Sequence, residues 1–181
     1  GIDVYFSTFA KSMASIGAFI AGDKDFIDYL KYNLRSQMFA KSLPMIFTVG
    51  ALKRLQMLRT MPELKDKLWE NVNYLQNGLK SKGFNIGDTN TCVTPVYLEG
   101  SIPEAMVMVN DLRENYNIFL SIVVYPVIPK GIILLRMIPT ASHTIADIDE
   151  TLSAFEAIRE KLSNGTYKAI AEKTTVDVSA E

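Results

Sequence analysis

The chain has 181 residues, 48% apolar and 22% charged, with a formal charge of −1. That balance is globular. It gives no basic footprint for nucleic acid, and the longest apolar run, over residues 118–129, is too short and too β-branched to span a bilayer. One cysteine, Cys92, and one histidine, His143, exclude an intrachain disulfide and a zinc cluster. They fit a reducing, cytoplasmic setting, and no signal-peptide pattern opens the segment.

Residues 2–9 and 16–22 read as two short buried strands, rich in Ile, Val and Phe and bounded by Ser and Gly. Asp23 is placed to cap a helix through Asn33 that carries Phe26, Ile27, Leu30 and Leu34 on one face. Pro44 opens a second helix to Arg59. Thr60-Met61-Pro62-Glu63 has capping-box spacing and starts a long helix to Lys82, with Leu64, Leu68, Val72, Leu75 and Leu79 as its stripe and Gly83 as its stop. Residues 92–98 alternate as a strand. Ser101 and Glu104 form a second capping box, for a helix to Asn115. Residues 118–125 and 132–138 are further strand runs, and Thr144 with Asp147 caps a helix through Leu162. From Asn164 the chain is polar and Thr-rich, with a short helical turn expected over 168–172 and a mobile tail after it.

The expected organisation is a remnant of a larger α/β domain over residues 1–60 and a connecting helix over 61–84. A small α+β domain with an antiparallel sheet follows over 85–163, then a polar tail over 164–181. Two strands before residue 23 cannot make a stable sheet alone, so the chain reads as the back part of a larger enzyme.

The sharpest chemical candidate is Lys11, in Ser7-Thr8-Phe9-Ala10-Lys11-Ser12. A lysine at the end of an apolar strand, with hydroxyls beside it, is suited to lose its charge and attack an aldehyde as a neutral amine. On residue type alone it reads as an ordinary loop lysine, and only the apolar strand, hydroxyls and small residues around it favour the chemical reading. Thr8 and Ser12 can donate to a phosphate or close their own turn, and Ser12 reads first as a turn residue. Arg136, between Leu135 and Met137, is either an edge-strand arginine snorkelling outward or a ligand for a carboxylate. His143 reads as a local hydrogen-bonding or packing residue, Cys92 and Trp69 as packing residues, and Met106 and Met108 as gap fillers of the core. Arg35 and Lys41 read as solvated charges that an anionic substrate could use.

Three segments resemble the α-oxoamine synthases, the pyridoxal-phosphate enzymes that include serine palmitoyltransferase, 8-amino-7-oxononanoate synthase and glycine C-acetyltransferase. The first is the Lys11 segment followed by Ser15-Ile16-Gly17-Ala18-Phe19-Ile20-Ala21-Gly22. The second is Phe39-Ala40-Lys41-Ser42-Leu43-Pro44. The third is Tyr125-Pro126-Val127-Ile128-Pro129-Lys130-Gly131 with Leu135-Arg136 and Ala141-Ser142-His143-Thr144. They keep the family's order and together span residues 3 to about 160.

The resemblance implies fold type I of the pyridoxal-phosphate enzymes and a homodimer with the cofactor at the subunit interface. It implies that Lys11 is the Schiff-base lysine, that Thr8 contacts the cofactor phosphate and that Arg136 lies near the substrate carboxylate. Departures are also present. Ala10 replaces a common serine, and Ala40 lacks the hydroxyl that reaches the partner's phosphate in relatives. Val124 stands where some members have arginine, which leaves Arg136 as the carboxylate ligand and is similar to the glycine acetyltransferase pattern. The implied activity of the full-length parent is condensation of an acyl-CoA with an amino acid. The family's stacking histidine and its acid for the ring nitrogen lie upstream of the lysine, so this chain alone is expected to bind cofactor weakly and to be inactive. Two other readings are a noncatalytic homodimerising module and part of a fold type I aminotransferase.

Overall fold

The computed structural model describes the backbone of residues 1–178 and the side chains of residues 1–173. The chain separates into two units, Gly1–Pro62 and the part from Glu63 onward.

In the first unit, β1 (Val4–Thr8) and β2 (Ala18–Gly22) pair antiparallel, with Val4 opposite Gly22 and Thr8 opposite Ala18. Three helices follow: α1 (Lys24–Asn33), α2 (Arg35–Phe39) and α3 (Met45–Thr60). The strands are not buried as their composition predicts. Phe6 and Ile20 are exposed, and Ala51 is the only buried hydrophobic residue described in this unit. A two-stranded ribbon has two faces and two edges to cover and too few neighbours to cover them. What it does gather is an aromatic cluster, with Phe19 packed 5.7 Å from Tyr5 and 5.5 Å from Phe9, ring centre to ring centre.

Two expected caps are absent. The Asp23 side chain makes no capping bond to α1. Thr60 is the last residue of α3, where its hydroxyl donates to the Gln56 carbonyl. Its oxygen therefore serves the turn behind it, and α4 starts one residue beyond Met61, at Pro62.

The second unit is α4 (Pro62–Ser81), β3 (Thr94–Glu99), α5 (Ile102–Tyr116), β4 (Ser121–Val123), β5 (Ile132–Met137), α6 (Ile145–Ser163) and α7 (Thr166–Val178). The strands form an antiparallel sheet in the order β3-β5-β4, the α+β arrangement expected after the long helix. Alternation along β5 sorts its residues. Ile133, Leu135 and Met137 enter a core with Leu75, Leu79, Val96, Met108, Leu112, Phe155 and Ile158, while Arg136 is exposed. Period-2 geometry puts these on opposite faces of the sheet.

Both downstream capping boxes form. The Glu104 backbone N–H donates to Ser101 Oγ at 3.4 Å, and Ser101 N–H returns a bond to Glu104 Oε2 at 2.9 Å. Thr144 N–H donates to Asp147 Oδ2 at 2.7 Å. That backbone bond and the Thr144 hydroxyl hold the Asp147 carboxyl below its usual range.

The chain end differs from expectation. Residues 166–178 are one helix, α7, in place of a single turn. Tyr167 is 1% exposed and donates from its hydroxyl to Asp111 Oδ2 at 2.6 Å. One large aromatic with a partner for its hydroxyl anchors an otherwise polar segment. Residues 179–181 of the expected mobile tail lie outside the described residues. Of the two methionines expected in the core, Met108 is fully buried, but Met106 is 61% exposed on the outer side of α5. Trp69 is half-buried. Among the described residues no helix is long and apolar enough to cross a membrane, and no cluster of side chains could hold a metal ion.

Candidate active site

The residues singled out in the sequence fall in two places, one in each unit. In the first, the chain leaves β1 at Thr8 and returns to β2 through a tight loop. Phe9 N–H donates to the Gly17 carbonyl at 2.9 Å, Ser15 N–H to the Phe9 carbonyl at 2.8 Å and Ala14 N–H to the Lys11 carbonyl at 2.9 Å. Gly17 takes φ +102°, open to glycine at little cost. Thr8 ends β1 and Lys11 lies in the loop that follows it. Lys11 is exposed and in no ion pair among the described residues.

The Thr8 hydroxyl is already engaged. It donates to the Gly17 carbonyl and accepts from Ala10 N–H, both at 3.1 Å. Ser15 Oγ, in the same loop, is shut off from solvent with no hydrogen-bond partner. A cavity of about 430 Å³ in this unit is lined by Thr8, Ser12 and Thr48 together with Phe19, Leu43 and Leu52.

In the second unit Arg136 lies on the central strand, with Pro95 of β3 on one side and Ser121 of β4 on the other. It is thus no edge-strand arginine. Its Nε donates to Ser121 Oγ at 3.0 Å. His143 is a local hydrogen-bonding residue, as its sequence context suggests. Its Nδ1 accepts from Thr140 N–H at 2.9 Å, which leaves the ring proton on Nε2 when the imidazole is neutral.

Three residues were missed in the sequence. Asn71 is fully buried on α4, and its Nδ2 donates to the Thr140 and His143 carbonyls at 2.9 and 2.8 Å. Only a polar residue inside an apolar stripe hinted at it. Ser121 is visible as a partner of Arg136 only once the β4–β5 register is known. Asp111 gathers Asn115, its i+4 neighbour on α5, together with Lys161 and Tyr167, two positions that no local pattern connects to it.

A family model described as aminotransferase class I and II matches residues 1–155. The chain belongs to the class I and II aminotransferase family. Within this wider group, the chain is 75% identical over 177 residues to a cysteate-C-fatty acyltransferase of Capnocytophaga ochracea, covering 98% of this chain and 42% of the relative. It is 36% identical over 151 residues to a serine palmitoyltransferase of Sphingobacterium spiritivorum, covering 83% and 37%. It is 39% identical over 163 residues to an 8-amino-7-oxononanoate synthase of Petrotoga mobilis, covering 89% and 40%. A solved serine palmitoyltransferase carrying pyridoxal phosphate superposes with a TM-score of 0.80 at 29% identity, over 90% of this chain and 41% of that one. The chain spans about two fifths of the length of these relatives.

The solved serine palmitoyltransferase carries pyridoxal phosphate, and Lys11 offers an exposed amine for such an aldehyde. An amine in no ion pair can condense with an aldehyde once it is neutral, and Thr8 and Ser12 flank it in sequence. Thr8 can serve a phosphate through its hydroxyl only by giving up the Gly17 carbonyl, and Ser15 Oγ, though unpartnered, is shut off from solvent and does not line the cavity.

Proposed function

We propose that this chain is the C-terminal part of a pyridoxal-phosphate-dependent acyltransferase that joins a fatty acyl-CoA to the amino acid cysteate. The observation that carries the reading is the 75% identity, over 98% of this chain, to a relative named for that reaction. The residues supply matching chemistry. When bound, the cofactor provides an electron sink for a carbanion at the amino acid's Cα.

Lys11 is the amine that holds the cofactor aldehyde. Once displaced by the substrate amine, it moves the proton at Cα. Arg136 grips the α-carboxylate and so sets which bond at Cα is aligned for cleavage. Carbon–carbon bond formation at the thioester carbonyl expels CoA as its thiol, the carboxylate leaves as carbon dioxide, and a proton takes its place at Cα. Thr8 faces the cofactor phosphate. The active protein is a homodimer in the cytoplasm, and this segment alone does not turn over.

The test is thiol release by the full-length protein from a fatty acyl-CoA. Release with cysteate, and little with serine or glycine, supports the reading. Amino transfer to a 2-oxo acid with no thiol release would replace it with an aminotransferase, the activity in the family's name.

A further inference from the structure

A guanidinium can grip a carboxylate along two edges, side-on through Nε and one Nη, or end-on through Nη1 and Nη2. In this structure one of those edges is occupied. Arg136 and Ser121 are register partners across β4 and β5, and Arg136 Nε donates to Ser121 Oγ at 3.0 Å. On the other side of β5 the register partner is Pro95, whose side chain has no hydrogen-bonding atom. Ser121 is therefore the polar side chain level with Arg136 across the sheet. Arg136 is in no ion pair among the described residues, so both Nη groups are open to a ligand.

We propose that Ser121 is a positioning residue: it takes Nε of Arg136, so that the α-carboxylate of the amino-acid substrate is held end-on by Nη1 and Nη2. The proposal rests on the reading of Arg136 as the carboxylate ligand. The physical gain is preorganisation. A long side chain tied at Nε, on a strand fixed on both sides, has already given up most of its rotamer freedom before the substrate arrives. A free arginine would give it up on binding and would switch between the two edges.

The experiment uses the full-length holoenzyme and the variants Ser121→Ala, Ser121→Thr and Arg136→Ala. The amino acid's dissociation constant is read from the absorbance of the bound cofactor in the absence of acyl-CoA. Ser121→Ala should weaken amino-acid binding by about tenfold, the scale of one hydrogen bond to a charged group. KM for acyl-CoA should stay unchanged and kcat should fall far less than amino-acid affinity. Ser121→Thr, which keeps the hydroxyl, should restore affinity. The amine that corresponds to the substrate without its carboxylate should bind wild type and Ser121→Ala equally.

A loss that Ser121→Thr does not restore, or one that affects the amine equally, would overturn the positioning role in favour of a structural one. Unchanged amino-acid affinity in Ser121→Ala, with a large loss in Arg136→Ala, overturns the role of Ser121 alone. If Arg136→Ala also leaves affinity unchanged, Arg136 is no carboxylate ligand and both readings of this face fall together.

Discussion

Tyr167 and Asp111 are 56 residues apart and joined by a 2.6 Å hydrogen bond from phenol to carboxylate. Lys161 Nζ donates to the same oxygen at 2.8 Å, and Asn115 Nδ2 donates to the other at 2.7 Å. Lys161 also stands 5.1 Å from the centre of the Tyr116 ring. This node joins α5, α6 and α7, and it places a helix where composition suggests a loose tail. Burial pushes the Tyr167 phenol above its usual range, and the Asp111 carboxylate adds to that shift.

Removing the phenol oxygen should loosen α7 without emptying the core. In Tyr167→Phe the ring still fills its site, but Asp111 loses one donor, a cost of about 1.5–3 kcal/mol for a bond to a charged group. Backbone amides of residues 166–173 should exchange with solvent roughly tenfold faster or more than in the parent, while β5 amides keep their protection. Unchanged exchange in α7 would show that the ring alone holds the helix.

The same node fixes the sign of a pH response. Burial raises the Asp111 pKa, but the bonds from Lys161, Tyr167 and Asn115 outweigh it and hold the carboxyl below its usual range. A carboxyl lowered by folding contributes stability above its unfolded pKa of about 4, and loses it as pH falls through the lower folded value. Lys161 is raised, first by its bond to Asp111. Its contribution is therefore full below the unfolded lysine pKa and fades as pH rises through the higher folded one. Protection of α7 should be flat through neutral pH and collapse only in acid, with a second decline at strongly alkaline pH. Hydrogen exchange corrected for intrinsic rates, from acid to alkaline buffer, checks both limbs.

Asn71 makes a separate prediction. Its amide serves two carbonyls of the turn after β5, and its own oxygen has no partner among the described residues. Asn71→Ala strands both carbonyls and should cost about 2–3 kcal/mol. Asn71→Asp should cost more at neutral pH, because a carboxylate replaces a donor that faces two carbonyl oxygens. Denaturant unfolding of the two variants, followed by probes in this unit, ranks them; equal stability to the parent would mean that the turn holds itself through His143 and Thr140.

The sequence carried a good deal by itself. The stripe Val72, Leu75 and Leu79, the capping boxes at Ser101 and Thr144, the strand alternation at 92–98 and the apolar run at 132–138 are local patterns, set by 3.6- and 2-residue repeats and short-range spacing. They place the elements of the second unit in order from α4 to α6, but not α7. The family segments around Lys11 and Arg136 were legible for the same reason: each is a short contiguous motif. What the sequence could not decide depends on partners far away along the chain. Strand composition at 2–9 and 16–22 promised burial, yet burial needs neighbouring elements, and the first unit supplies too few. Thr60 could cap forward or bond backward, a choice settled by where α3 ends. The bonds from Lys161 and Tyr167 to Asp111, the Asn71 brace and the bond from Arg136 to Ser121 each join residues at least 15 positions apart. Only strand register and helix packing bring those pairs within hydrogen-bond reach.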